Sequence, residues 1–305
     1  MKNDAQKTQA ALAAALFEPK TVALIGASGD PKKNTSRPQR FLRKHGYTGR
    51  IVPVNPGRDE IFGEKAYPNL MTVPEVVEHA FIMTLYAKPG YDLARDFAPI
   101  TLLASTPNIL VVHPSVAAKS VQELIALAKA KPGQLNYASS GSGSSAHLAA
   151  ELFKSMAGVN LTHVPYKGGG PAVTSLVGGE TVVGFATAPS VLQQIKSNRL
   201  RGLAVTTLKR TAAAPELPTI AESGVPNYDA NTWYGALAPA KTAAPIVTRL
   251  HAEFIKIMQS ADILERIAVL GYEASTTTPQ EFAAYIKAEI AKWGKVVKAT
   301  GIRAD

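Results

Sequence analysis

Short β-rich runs alternate with helix-length amphipathic stretches along most of this chain, which confines it to α/β architectures with largely parallel strands. The first run, Thr21-Val22-Ala23-Leu24-Ile25, ends in the turn Gly26-Ala27-Ser28-Gly29. Residues 35–45 then place Arg37, Arg40 and Lys44 on one helical face and Phe41 near the other, with Gly46 as the stop. Arg50-Ile51-Val52-Pro53-Val54 and His79-Ala80-Phe81-Ile82-Met83 supply two more strands. Beyond residue 85 the alternation continues, with strands expected over 135–138, 162–165, 181–186 and 203–206. Two capping boxes punctuate it. Ser120-Val121-Gln122-Glu123 opens a helix with the stripe Val121, Leu124, Ile125 and Ala128, and Thr278-Pro279-Gln280-Glu281 opens another that buries Phe282, Ile286, Ile290, Trp293 and Val297.

A length of 305 residues with 46% hydrophobic content allows a sizeable core and favours two domains. With no cysteine, the chain has no disulfide, thiolate nucleophile or cysteine-based zinc site. The opening segment, MKNDAQKTQAALAAALFEPK, reads as a short helix rather than a signal peptide. No window nears the roughly 20 apolar residues that span a bilayer, so the cytoplasm is the default expectation.

The formal charge of +10 is uneven: Lys32, Lys33, Arg37, Arg40, Arg43, Lys44 and Arg50 cluster with only Asp30 beside them. Nucleic acid is not the expected partner, because no aromatic residues interleave that charge and no binding motif accompanies it. A phosphorylated small ligand suits the cluster; so does a plain solvated helix face. The turn at Gly26 departs from Gly-x-Gly-x-x-Gly, so the dinucleotide fingerprint is missing.

Two later loops are the candidate binding elements. Ser139-Ser140-Gly141-Ser142-Gly143-Ser144-Ser145 stands between a strand and a helix, where hydroxyls and helix-terminal amides can cradle a carboxylate. The same residues would also serve as a flexible turn with an N-cap. Tyr166-Lys167-Gly168-Gly169-Gly170 follows a second strand, and its glycines permit close backbone approach to a ligand; Lys167 reads as solvated. Thr187 ends a third strand, where open α/β sheets place ligand contacts. Catalytic and metal templates fail: there is no Gly-x-Ser-x-Gly elbow, Walker loop or His-Glu-x-x-His, and the six histidines lack metal-ligand spacing. His147 could meet a loop serine, yet no orienting carboxylate lies nearby in the sequence. The chain is therefore expected not to be an enzyme.

Residues 17–83, through Val22-Ala23-Leu24-Ile25-Gly26-Ala27-Ser28, His45-Gly46-Tyr47 and Ile51-Val52-Pro53-Val54-Asn55-Pro56, resemble the CoA-binding domain of NDP-forming acyl-CoA synthetases. That resemblance implies CoA as the one cofactor to consider, with contacts at Gly26, Ser28, Lys32, Asn55 and Pro56. From residue 85, Arg95-Asp96-Phe97-Ala98-Pro99-Ile100-Thr101, residues 135–147, 163–172 and 290–305 resemble Bug-type receptors of tripartite tricarboxylate transporters. This second resemblance implies a two-lobed fold of the type II periplasmic-binding-protein kind that closes on a small mono- or dicarboxylate. It also implies membrane transporter subunits as partners of an exported protein, and a periplasmic setting that conflicts with the cytoplasmic default.

The joint expectation is lobe one from residues 1–108 plus 235–305, with the Rossmann-like CoA-domain fragment of residues 1–84 completing its sheet, and lobe two from residues 109–234. In place of the receptor family's first strand and Pro-Gly-Gly loop stands that fragment.

Overall fold

The computed structural model describes residues 20–25, 27–31, 36–69, 72–74, 79–82 and 92–302. The expected N-terminal helix lies outside them. The chain divides into two compact units, Met1–Asp92 with Arg303–Asp305, and Leu93–Ile302.

In the first unit, β1 (Thr21–Ile25), α1 (Arg37–Lys44), β2 (Arg50–Val54), the hairpin β3 (Glu60–Ile61) and β4 (Glu64–Lys65), and β5 (His79–Ile82) follow in order. β2, β1 and β5 pair in parallel as a three-stranded sheet of their own, whereas the sequence leads one to expect these strands to complete the sheet of another lobe. Pro53, which cannot donate to a ladder, sits in the edge strand. Val22, Leu24, Ile51 and Ile61 pack on one side and Ala23, Val52 and Tyr67 on the other, so β1 is buried on both faces. One expectation is corrected on α1: Phe41 is 61% exposed, and Leu42 is the residue that packs on this core.

The second unit is built around one long strand, β6 (Phe97–Val112). It is followed by α2 (Val121–Ala130), β7 (Asn136–Ser139), α3 (Ser145–Ala157), β8 (Thr162–Pro165), α4 (Gly169–Val177), β9 (Val183–Thr187), α5 (Ala188–Lys196) and β10 (Arg201–Val205). Then come β11 (Asn231–Pro239), α6 (Ala244–Met258), α7 (Ala261–Val269), β12 (Glu273–Ala274) and α8 (Pro279–Thr300). From Phe97 to Pro107, β6 pairs antiparallel with β11, and β12 pairs with it at Ala104 and Ser105. From Asn108 to Val112 it lies instead between β10 and β9, antiparallel to both, and the sheet continues β9-β7-β8 in parallel. The strand thus changes partners between Pro107 and Asn108.

Helices pack on both faces of the β10-β6-β9-β7-β8 sheet, and its central strand accordingly reads as a continuous apolar run from Ile109 to Val112. Leu110, Val112, Tyr137, Val183 and Phe185 face α2 and α3, while Ile109, Val111 and Ala138 face α4 and α5. This alternation fixes the outlook of the last residue of each strand.

α8 carries the expected reciprocal capping box of Thr278 and Glu281. Its first turns pack Phe282 and Ile286 on Leu102, and Trp293 reaches the α2/α3 core. Ile290 is not on the buried face: it is 50% exposed, and Glu289 is buried in its place. The reason is that the Glu289 carboxylate accepts from Trp233 Nε1 at 3.2 Å, Trp293 Nε1 at 2.8 Å and Lys292 Nζ at 2.5 Å, which meets the need of a buried charge for partners. Lys292 Nζ also stands 3.6 Å from Asp229 Oδ2.

Candidate functional site

Parallel strands with crossover helices bring loops that are far apart in sequence to one sheet edge. β7, β8 and β9 all end on the same side, with Ser139, Pro165 and Thr187 as their last residues. The two candidate loops are tied directly together: Tyr166 N–H donates to Ser139 O at 3.0 Å and Gly168 N–H to Ser140 O at 3.1 Å.

Within the serine loop the backbone needs its glycines, since Gly141 has φ 129° and Gly143 has φ 77°. Ser144 caps α3, its hydroxyl accepting from His147 N–H at 3.3 Å. Four of the predicted residues, Ser142, Gly143, Ser144 and Ser145, are half-buried at the start of that helix, as is Ser140 beside them. There the helix's positive end favours an anion.

Ser139 and Gly141 are placed differently. Ser139 is only 1% exposed, its Oγ accepts from Gly141 N–H at 3.2 Å, and it lies 2.6 Å from His163 Nε2. Both residues form the loop's foundation rather than its rim. Among the loop serines, Ser139 thus meets the His163 imidazole. His147 instead takes the Gly143 N–H on Nδ1 at 2.9 Å.

Beneath the loop the rings of His147 and His163 stack at 3.9 Å, and Tyr137 stacks on His163 at 4.8 Å. Tyr137 donates its hydroxyl to Glu151 at 2.7 Å, and Lys154 donates to the same carboxylate at 2.6 Å. Burial foremost, then the Glu151 carboxylate, pushes the Tyr137 phenol far above its ordinary range, so it remains a donor. No sequence motif announces this stack: Tyr137, His147 and His163 lie on three different elements.

In the glycine loop only Gly168 requires its residue type. It has φ 114° and ψ 171°, a conformation essentially restricted to glycine, whereas Gly169 and Gly170 are the first residues of α4 and face open space. Tyr166 is half-buried, its hydroxyl 3.4 Å from Glu180 Oε2. Thr187 Oγ1 donates to Ser190 Oγ at 3.2 Å, and the Ser190 hydroxyl donates to Thr187 O at 2.7 Å.

The proposed CoA contacts fare unevenly. Gly26 and Lys32 lie outside the described residues. Ser28 Oγ accepts from Asp30 N–H at 3.1 Å. Asn55 spends both ends of its amide locally, donating to Ala27 O at 2.7 Å and accepting from Gly57 N–H at 2.8 Å, so it joins the turns after β1 and β2. Pro56 is exposed. In the basic cluster, Arg40 donates to Pro31 O, and Arg43 donates to Tyr47 O and Gly49 O and pairs with Glu64. Arg43 is thus a structural cation.

The sequence profile of the tripartite tricarboxylate transporter family receptor matches residues 63–302. A UPF0065 protein from the tcbD-tcbE intergenic region of Pseudomonas sp. strain P51 is 38% identical over 213 residues, which is 70% of this chain and 63% of that protein. The protein BugT of Bordetella pertussis is 35% identical over 221 residues, 72% of this chain and 68% of its own length. The chain thus spans about two thirds of the length of these relatives. Among solved structures, R. palustris Rpa4515 with adipate superposes with a TM-score of 0.68 at 32% identity, covering 93% of this chain and 98% of that one. A structure described as a periplasmic transporter gives 0.69 at 29% identity over the same shares. A short match of 67 residues, 42% identical, joins 22% of this chain to 10% of the ADP-forming acetate–CoA ligase II of Archaeoglobus fulgidus.

Proposed function

The chain belongs to the tripartite tricarboxylate transporter receptor family, and from that premise we propose that it binds a small mono- or dicarboxylate without chemical conversion. The observation that carries this reading is the convergence of three elements at one sheet edge. These are the serine loop at the N-terminus of α3, the glycine loop hydrogen-bonded to it, and Thr187 at the end of β9. Hydroxyls, a helix terminus and close backbone approach suit a carboxylate. Adipate in a relative of similar fold supports the ligand class.

Solute capture in this reading involves two lobes of the second unit, one around the part of β6 paired with β11 and one around the part paired with β9 and β10, which meet where β6 changes partners. The contacts assigned to the solute are Ser140, Ser142, Gly143, Ser144 and Ser145, with Tyr166, Gly168 and Thr187 flanking them. Membrane transporter subunits are its natural partners, and a periplasmic setting follows from the same family reading, in place of the cytoplasmic default. No described helix is long and apolar enough to cross a membrane.

A second reading, a module for CoA or another phosphorylated ligand, is favoured by the short acetate–CoA ligase match. Titration calorimetry with adipate, succinate and CoA separates the two. The carboxylate reading expects one-to-one binding of a carboxylate; heat from CoA alone would sink it in favour of the second.

A further inference from the structure

Five buried side-chain polar atoms among the described residues have no hydrogen-bond partner, and three of them sit where β6 changes sheets: Nδ2 and Oδ1 of Asn108, and Oγ1 of Thr232. Asn108 is 1% exposed. Its backbone is fully engaged, since its N–H donates to Thr206 Oγ1 at 2.9 Å and its carbonyl accepts the Thr206 hydroxyl at 2.9 Å and the Thr206 N–H at 3.0 Å. The residue is therefore held firmly while its carboxamide is left unsatisfied. Along that face the next residues inward are Leu110 and Phe185, so an apolar side chain would suit the position better if packing were its only task.

The surroundings say what the carboxamide serves. Asn108 lies directly across the ladder from Thr187, on the same face of the sheet, and Thr232 lies across from Thr106, two residues back along β6 on that same face. α3 packs on this face and starts at the carboxyl ends of β7 and β9, so its N-terminus and the serine loop stand over the same edge.

An amide presents two donors and an acceptor, and a carboxylate uses only the donors. We propose that Asn108 is a specificity-determining contact for the solute: Nδ2 donates to the solute carboxylate, and Oδ1 accepts from a hydroxyl or ammonium on the adjacent carbon. The solute is then a 2-hydroxy- or 2-amino-carboxylate. This rests on the carboxylate-binding reading above and narrows it. Shielding from water strengthens the selection, because a solute lacking the donor leaves Oδ1 unpaired.

The test is calorimetric titration of the wild type, N108L and N108D with matched pairs: lactate and propionate, malate and succinate, 2-hydroxyadipate and adipate. The wild type is expected to favour the hydroxylated member of the pair that fits by about tenfold or more, the worth of one hydrogen bond. N108L should bind both members of that pair within about twofold of each other, with a melting temperature no lower than the wild type's. N108D, which sets a carboxylate against a carboxylate, should lose both by more than about tenfold. A wild type with no preference overturns the proposal, as does an N108L that keeps the preference. A fall in the melting temperature of N108L with unchanged selectivity would make Asn108 structural, or a seat for ordered water, and equally overturn it. Silence of the wild type toward every pair would instead overturn the carboxylate reading itself.

Discussion

Three consecutive glycines, Gly168, Gly169 and Gly170, should respond to alanine in opposite directions. Gly168 holds φ 114° and ψ 171°, where a Cβ is strained by about 1–3 kcal/mol regardless of the space around it. It cannot relax freely, because its N–H is bonded to Ser140 O at 3.1 Å and its carbonyl accepts from Ala172 N–H at 3.3 Å. In a cooperative unit of roughly 200 residues that strain corresponds to a melting temperature lower by about 2–12 °C. Gly169 and Gly170 are helical with nothing near a built Cβ, so alanine there restricts the unfolded chain at no steric cost and should add up to about 1 kcal/mol. Thermal unfolding of the wild type and the three variants, followed by circular dichroism in one buffer, checks this. A G168A that melts within about 1 °C of the wild type would refute the reasoning, as would a G169A or G170A that loses as much as G168A.

Removing the Ser144 hydroxyl in S144A takes away the α3 cap and should lower stability by about 0.5–2 kcal/mol in urea titration. The Asp229 carboxyl is held above its usual range by burial foremost, with Glu289 adding to the shift and Lys292 opposing it. A raised carboxyl binds its proton more tightly in the folded state, so its contribution is complete below about pH 4 and is lost as pH rises through the folded value. Melting temperatures measured from pH 4 to pH 8 should therefore fall in the wild type relative to D229N as pH rises; a constant difference would refute the assignment.

Much of the fold was legible because its signals are local. The Thr278–Glu281 box, the Ser120 cap and the strand runs at Thr162–Pro165 and Val183–Thr187 each declare themselves within a few residues. Both loops were legible as strand-to-helix turns, since serine and glycine favour turns and caps there. What was hidden depends on distant partners. Helical periodicity put Ile290 inside α8, but it could not know that Trp233, fifty-six residues away, and Trp293 both aim their indole N–H groups at Glu289. Asn108 carries no motif of its own, and only the ladder sets it beside Thr187. Nor does the resemblance that assigns Asn55 a CoA contact show that its amide bonds Ala27 O and Gly57 N–H. The three-stranded sheet escaped for a related reason: strand order is a matter of pairing, and β1, β2 and β5 carry no signal of which sheet they join.

The most direct test of carboxylate binding at the edge formed by β7, β8 and β9 is backbone amide NMR of the labelled chain titrated with a dicarboxylate. Binding at that edge predicts saturable shifts at residues 140–146, 168–170 and 187, with the turns at 27–30 and 55–57 unmoved. Shifts confined to those turns, or none at saturating dicarboxylate, would contradict it.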